Sequence, residues 1–534
     1  MKHLSTLLAI FLYSALSAQE TFQRLVLSDH GIIHSMGHDA TGNRYTATMI
    51  FADSANAFYG TQAVKYGPDG NVVWHLRLGN PTGTGLNCND MAVSDDGEVV
   101  MINDQIGSSP FTSNSAGVTK LDANGELAWA RSFQPDGTGI QRASGQCVTL
   151  AANGDILAGG VRTFYDGGGR NEIFVARLSA SGSVLWTKSI GIPAVNNVNR
   201  IGGIGEDAAG AILVFGQTAF GTADSWLQKL SSTGEPLWCR KYSTTTVSSV
   251  LPLALAADGA GYALFYVPGG PGPTDHLYRA NTDANGVAGS AMSYGAQGQT
   301  GRVYGVTPLP NGNFAMAGFV KPIDEVENDA TLFTTDGAGA VQWAMHYGGR
   351  GAEGLDAVEP GPDGGFLTCG LGQPDSISQV ASYLPVIGYL VKTDANGHSF
   401  GCEGPLTITS TLMNFSDEAD SLSVTDVTGW ANAAVTTSMG YVEVSACPSI
   451  GIRDVKLPTL GLYLYPNPAS DQLTLTSGTA LRSIEVHAAD GRLMSRQRMA
   501  GTPTLDIRAL APGAYVLRAL DAQGHVLRGR FVKE

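Results

Sequence analysis

The chain has 534 residues and a net charge of −15, with 43% hydrophobic and 15% charged residues and 69 glycines. That length exceeds one ordinary core, the apolar content argues against disorder, and the acidic balance makes nucleic acid a poor partner. Abundant glycine with few charges and few long helical patterns points to all-β structure with many tight turns.

The N-terminus reads MKHLSTLLAIFLYSALSAQE, with Lys2 before an apolar stretch and small residues at Ala15, Ser17 and Ala18. This predicts a secretory signal peptide over residues 1–18. No later apolar run approaches the roughly 20 residues of a membrane-spanning helix, so no transmembrane segment is expected. Export permits disulfides among Cys88, Cys147, Cys239, Cys369, Cys402 and Cys447. Pairing is open by sequence; Cys402 with Cys447 is the preferred guess, because both flank a segment outside the repeats described next. The absence of any CxxC pair speaks against a structural zinc site.

From residue 19 to 404 one phrase recurs. VKYGPDGNVVW, VTKLDANGELAW, VARLSASGSVLW and LQKLSSTGEPLW are followed by three looser copies, centred on Gly70, Gly125, Gly182, Gly234, Gly286, Gly339 and Gly397. Successive glycines lie 55, 57, 52, 52, 53 and 58 residues apart, and Trp74, Trp129, Trp186, Trp238 and Trp343 each stand four residues after a glycine. A second phrase, such as VTLAANGDILAGG, falls between the copies. Both read as strand, turn, strand: glycine supplies positive φ, Asp or Asn caps the turn, and Val, Leu, Ile and aromatics suit a half-buried pleat. Four strands per unit, seven times over, predict a seven-bladed β-propeller of four-stranded blades. The seventh unit lacks a good fourth strand. TFQRLVLSD resembles the Trp-bearing strand with Phe22 in place of tryptophan, so residues 22–27 are expected to close the last blade. The tryptophans then read as plugs between blades rather than sugar platforms.

Residues 405–450 break the period, alternate like edge strands, and are read as a β-rich appendage on the propeller. A linker is expected at 451–462. From Tyr463 onward nine Lys/Arg face six Asp/Glu, a net of +3 against −18 for the rest, which marks a separate module.

That module contains LYPNPASDQLTL, then IEVHAADGRLM, then LDIRALAPGAYVLRALDAQG. Tyr465, Pro466, Asn467 and Pro468, then Asp490, Gly491 and Arg492, then Leu510, Gly513 and Tyr515 match three ordered motifs, and residues 463–534 resemble the type A C-terminal sorting domain of the type IX secretion system. The resemblance implies a small Ig-like β-sandwich that docks with an outer-membrane translocon, is removed after export, and belongs to a protein of the Bacteroidetes, released or held at the cell surface. Short alternating strands with Asn-Pro, Asp-Gly and Pro-Gly turns independently read as a sandwich.

Candidate chemistry is sparse. Gly349, Gly351 and Gly354 spell GxGxxG, and Gly203, Gly205 and Ala208 spell GxGxxA, but both lead into strand-like runs where a nucleotide loop would open a helix. His30, His34 and His38 are four apart on extended chain, too spread for one metal. HExxH and GxSxG are both missing. Asp122, Asp283 and Asp394 open DANG turns without the further carboxylates of a calcium loop; calcium shared between several loops is the alternative, and no cofactor is expected. Aromatics outside the repeat, Tyr59, Phe111, Phe164, Tyr165 and Phe220, are the candidate ligand contacts, with insertions at Pro268 to Pro273 and Pro322 to Asn328 as rim loops. The reading is an exported, non-catalytic binding or adhesion protein with an unknown glycan or protein ligand. An extracellular propeller enzyme acting on polysaccharide, a lyase or glycoside hydrolase, is the alternative.

Overall fold

The computed structural model describes the chain between residues 21 and 533, except 27–30, 51–59, 69, 80–85, 107–112, 135–139, 165–169, 192–199, 218–224, 245–249, 259–260, 269–274, 297, 323–326, 349–350, 373–386, 439–442, 446–461, 466–468, 478–480, 489–491, 499–503 and 522–525. It divides into two compact units, Met1–Pro448 and Ser449–Glu534. Among the described residues the regular structure is all strand apart from one short 3-10 turn, Pro310–Gly312. The expected signal peptide lies outside them.

The first unit holds seven antiparallel sheets. Sheets 1 to 6 each take four consecutive strands, within residues 31–79, 86–133, 140–191, 200–243, 250–295 and 299–347. Sheet 7 takes three strands from 354–392 and, as its fourth, Phe22–Val26, which pairs antiparallel with Ile387–Lys392 from Phe22↔Lys392 to Val26↔Gly388. The first strand of each sheet packs against its counterpart in the next, and Gly31–His38 of sheet 1 packs against sheet 7. Repeated four-stranded units that return on themselves in this way are consistent with a propeller.

The repeated phrase now has a physical account. At each tight turn a glycine sits at positive φ, for example +85° at Gly125 and +80° at Gly182. The turn's first residue caps it: Asp122 Oδ1 accepts from the backbone N–H of Asn124 (2.9 Å) and Glu126 (2.8 Å). Asp283 and Asp394 do the same, so these carboxylates serve as turn caps. The tryptophan of one sheet lies flat on the turn glycine of the next. A Cβ on Gly182 would fall 2.7 Å from the Trp129 ring, and one on Gly397 2.6 Å from Trp343. The indole N–H groups of Trp74, Trp129 and Trp186 donate to that turn's backbone, as Trp129 Nε1 does to Ala180 O (3.1 Å). At the seam between sheets 7 and 1, Phe22 takes the tryptophan's place over Gly70, whose Cβ would meet the ring at 2.8 Å. The glycine is therefore needed twice, for its φ and for the aromatic it admits.

Residues 403–445 fall largely in the segment expected as a β-rich appendage alternating like edge strands. Each sheet carries a fifth strand, and all seven come from this segment. Glu403–Pro405 adds to sheet 6, Thr409–Leu412 to sheet 5, Ser416–Asp420 to sheet 4, Ser423–Asp426 to sheet 3, Trp430–Asn432 to sheet 2, Thr436–Ser438 to sheet 1 and Glu443–Ser445 to sheet 7. The chain thus runs backward past every sheet as a girdle, capping outer edges that would otherwise expose unpaired N–H and C=O groups. It inserts apolar side chains at Ile408, Phe415 and Leu422 between its short strands and at Trp430 opening one, seven, seven and eight residues apart. Phe415 stacks on Tyr242 of sheet 4 (5.3 Å) and meets Tyr266 of sheet 5 edge-on (6.0 Å). Trp430 stacks on Phe133 of sheet 2 (5.0 Å) and donates to Thr187 Oγ1 of sheet 3 (2.9 Å). Strands of three to five residues cannot build a core of their own, so they depend on the sheets they edge.

The second unit has a three-stranded and a four-stranded sheet. Leu473, Leu475, Ile484, Val486, Leu505, Ile507, Leu517 and Phe531 form their shared core.

Candidate functional site

Successive connections in an antiparallel sheet alternate between its two ends. The connections between first and second strands, and between third and fourth, are tight glycine turns. The long ones, such as 51–59, 192–199 and 373–386, fall between second and third strands or from sheet to sheet, where 27–30 and 296–298 are short exceptions. Every sheet therefore presents its tight turns at one end and its long loops at the other, and the loop-bearing end is the candidate binding face.

The first strands reach this end with their N-terminal residues, and all seven carry a β-bulge at one place. The irregularities fall at Ile33/Ser35, Cys88/Asp90, Gly145/Cys147, Ile201/Gly203, Pro252/Ala254, Val303/Gly305 and Leu355/Ala357. The extra residues are thus His34, Asn89, Gln146, Gly202, Leu253, Tyr304 and Asp356. Bulges re-aim side chains and mark such positions for use.

Polar groups gather around this ring. His34 Nδ1 lies 3.0 Å from Asp356 Oδ2, joining sheets 1 and 7. His38 pairs likewise with Glu359 at 2.7 Å; that hydrogen bond outweighs burial and raises the imidazole pKa. The histidine series is therefore a set of inter-sheet pairs, with His30 outside the described residues. Asp90 bridges three sheets, accepting from Ser35 Oγ (3.1 Å), Met91 N (2.8 Å) and Val148 N (2.9 Å). Burial pushes its carboxyl up to about 6 against those bonds, and does the same to Asp104, which accepts from Ser144 Oγ and Gly145 N. Arg200 and Arg302 stand one residue before their bulges in sheets 4 and 6. Burial raises the Tyr304 phenol pKa, with Arg302 and Asp356 acting on it in opposite directions.

Of the aromatics expected to meet a ligand, Tyr59, Phe111, Tyr165 and Phe220 lie outside the described residues. Phe164 is only 4% exposed, with the Arg162 guanidinium 4.5 Å over its ring, so it is a packing residue and that expectation is corrected. Gly203 and Gly205 lie on the strand Arg200–Glu206 and Gly354 opens the strand Gly354–Pro360, neither at a helix start; Gly349 lies outside the described residues. Among the described residues no group of three His, Cys, Asp or Glu is arranged to hold a metal ion, and no helix is long and apolar enough to cross a membrane. Cys402 is disulfide-bonded, whereas Cys88, Cys147, Cys239 and Cys369 are free. Cys447 lies outside the described residues.

In the second unit Tyr465 ends a strand that pairs with Gln472–Ser477, and Gly513 opens the strand Gly513–Asp521. Tyr515, 7% exposed, stacks on Phe531 (5.5 Å) and donates to Ala511 O at 2.8 Å, which fixes the turn before its strand. Pro466, Asn467, Pro468, Asp490 and Gly491 fall outside the described residues. An all-β chain of repeated sheets with such a tail is an exported protein's architecture, and residues 463–534 match the secretion system C-terminal sorting domain family. The chain is thereby directed through type IX secretion to the cell surface or beyond. Comparison with curated proteins gave no match. Similar solved structures include a Dyadobacter fermentans protein of unknown function (10% identity, TM-score 0.40, 70% of this chain and 98% of that one). Another is the acylaminoacyl peptidase of Pyrococcus horikoshii (12% identity, TM-score 0.36, 70% of this chain and 52% of that one).

Proposed function

We propose that the first unit is a seven-bladed propeller, closed by Phe22–Val26 and belted by 403–445, which binds an extracellular glycan or protein without turning it over. Residues 463–534 are its Ig-like sorting module, removed after export from a Bacteroidetes cell. Cys402 pairs with Cys447, so that the disulfide fastens the belt's two ends together. The observation that carries the binding reading is the segregation of every long connection to one end of a rigid scaffold whose other end is all tight turns. Tyr59, Phe111, Tyr165 and Phe220 sit in those long connections and are the proposed contacts.

The test is a glycan and polymer array probed with the purified full chain. Binding should fall at least tenfold in the Tyr165→Ala/Phe220→Ala double variant, and undiminished binding would reject those contacts. A second reading, an enzyme acting on polysaccharide, is favoured by the His34–Asp356 pair and by Tyr304 on the other neighbour of the Asp356 strand, which offer a base and a phenol within three successive first strands. It predicts new reducing or unsaturated ends from a bound polymer, lost in His34→Gln.

A further inference from the structure

The lysines and arginines of the first unit are paired almost as a rule. Lys120 meets Glu98 (2.7 Å), Arg177 meets Asp155 (2.8 Å) and Glu206 (3.3 Å), Lys229 meets Asp207 (2.7 Å), and Lys392 meets Asp363 (2.7 Å). Acidic residues outnumber basic ones, so an unpaired cation has many partners available. Arg200 and Arg302 break the rule. Neither has a carboxylate partner or a hydrogen bond among the described residues, although both lie on first strands that pack in the ring.

Their placement is equivalent. Arg200 immediately precedes the Ile201/Gly203 bulge, and Arg302 immediately precedes the Val303/Gly305 bulge. Between their sheets stands the first strand of sheet 5, whose opening residues Val250, Leu251, Pro252 and Leu253 include no acid, its one carboxylate being Asp258 at the far end. That strand packs against both of theirs, and Arg302 acts to lower the pKa of Arg200, after the larger effect of burial. Arg302 Nε is buried without an acceptor. Behind Arg302, the fully buried His276 finds no hydrogen-bond partner in the protein for either ring nitrogen, and a Cβ on Gly301 would lie 2.7 Å from its Nε2. This corner of the ring is rich in N–H donors, and the nearby Asp356 carboxylate, which acts on Tyr304, is engaged by His34. Beside it Tyr304, 40% exposed, sits 5.8 Å below the Arg302 guanidinium and 5.8 Å from the Phe319 ring.

Two like charges held together without a counter-ion are destabilising unless an anion completes the set. Guanidinium forks match planar or tetrahedral oxyanions, and an exposed phenol beside them gives a sugar ring a flat apolar face. We propose that Arg200, Arg302 and Tyr304 form a subsite for the anionic group of an acidic polysaccharide, a uronate carboxylate or a sulfate ester. The subsite rests on the binding reading above and narrows its ligand. Retention by an overall acidic protein then depends on this local reversal of sign, so binding is salt-sensitive and does not extend to neutral glycans.

The experiment titrates polygalacturonate, chondroitin sulfate, a neutral β-glucan and poly-glutamate into the full chain and into Arg200→Gln/Arg302→Gln, Arg302→Lys and Tyr304→Ala. Polygalacturonate or chondroitin sulfate should bind, and the double variant should lose at least tenfold; because chondroitin sulfate carries uronate as well, its binding with polygalacturonate ignored names the sulfate, and binding of polygalacturonate names the carboxylate. Arg302→Lys should recover part of that loss, and Tyr304→Ala should weaken both polysaccharides. Because the arginines have no partners, the double variant should unfold no earlier than the wild type, and an anionic oligosaccharide should raise the melting temperature of the wild type alone. Four results overturn the proposal: binding of acidic polymers unchanged in the double variant, preference for the neutral glucan, equal binding of poly-glutamate, or marked destabilisation of the double variant without ligand. Neutral glucan bound and acidic polymers ignored sinks this subsite but leaves the binding reading; no polymer bound at all sinks both.

Discussion

Gln23 sits where the ring is fastened, and its replacement tests that fastening. The residue is 4% exposed. Its Oε1 accepts from the Tyr389 hydroxyl at 2.6 Å, and its Nε2 donates to Ser399 Oγ at 2.8 Å and to Cys402 O at 3.2 Å. One amide therefore ties the strand Phe22–Val26 to its neighbour in sheet 7, to the turn beyond that neighbour and to the start of the girdle. In Gln23→Ala the buried Tyr389 hydroxyl loses its acceptor, which costs about 1–3 kcal/mol. The two lost methylene equivalents add roughly 0.8 kcal/mol each. The sum is about 2.6–4.6 kcal/mol. Gln23→Leu keeps the volume and should cost about 1–3 kcal/mol, and adding Tyr389→Phe should recover at least about 1 kcal/mol by removing the orphaned hydroxyl. All seven tryptophans, Trp74 to Trp430, lie in the first unit, so urea titration followed by tryptophan emission reads that unit in the intact chain. A Gln23→Ala cost below about 0.5 kcal/mol, within the scatter of ordinary surface substitutions, would refute the view that this strand closes the ring.

Gly182→Val should cost at least about 2 kcal/mol by the same titration, since it meets both a φ of +80° and the Trp129 ring 2.7 Å from its Cβ; a Trp129→Ala background should relieve part of the clash. Asp90 and Asp104 have folded-state pKa values raised to about 6, so their protonated forms favour the fold and stability falls as pH rises from about 4 through 6; melting curves of Asp90→Asn should show a flatter decline over that window. Asp39 behaves oppositely. Burial opposes its ionisation, but hydrogen bonds from Asn43, Thr41 and Tyr45 outweigh it and hold the carboxyl at about 2, so its contribution is present above pH 4 and is lost as pH falls toward 2; Asp39→Asn should remove that acid-side loss. If Cys402 closes the girdle with Cys447, Cys402→Ser should cost about 4 kcal/mol on loop-entropy grounds, and a wild-type urea midpoint indifferent to reductant would reject the clasp. Tyr515→Phe should destabilise the second unit alone by about 1 kcal/mol, seen as a shift in far-ultraviolet melting with tryptophan emission unchanged.

Local chemistry made the repeat legible. A positive-φ glycine, an acidic cap and a tryptophan four residues on are each demanded by atoms within one turn and the neighbour it touches, so they recur wherever the turn recurs. Even the substitution of Phe22 for tryptophan could be read beside its homologous strand. The tail was equally legible, because Tyr515 and its preceding turn form a local unit. The girdle was not. Strands of three to five residues, mostly polar, owe their register to backbone groups on sheets hundreds of residues earlier, and backbone hydrogen bonds leave no mark on side-chain pattern. Its apolar spacing of seven to eight residues is the one trace, and it acquires meaning only when a row of gaps is there to receive it. Arg200 and Arg302 were hidden for the same reason. They stand two repeats apart, and only packing of first strand on first strand brings their charges together while withholding an acid.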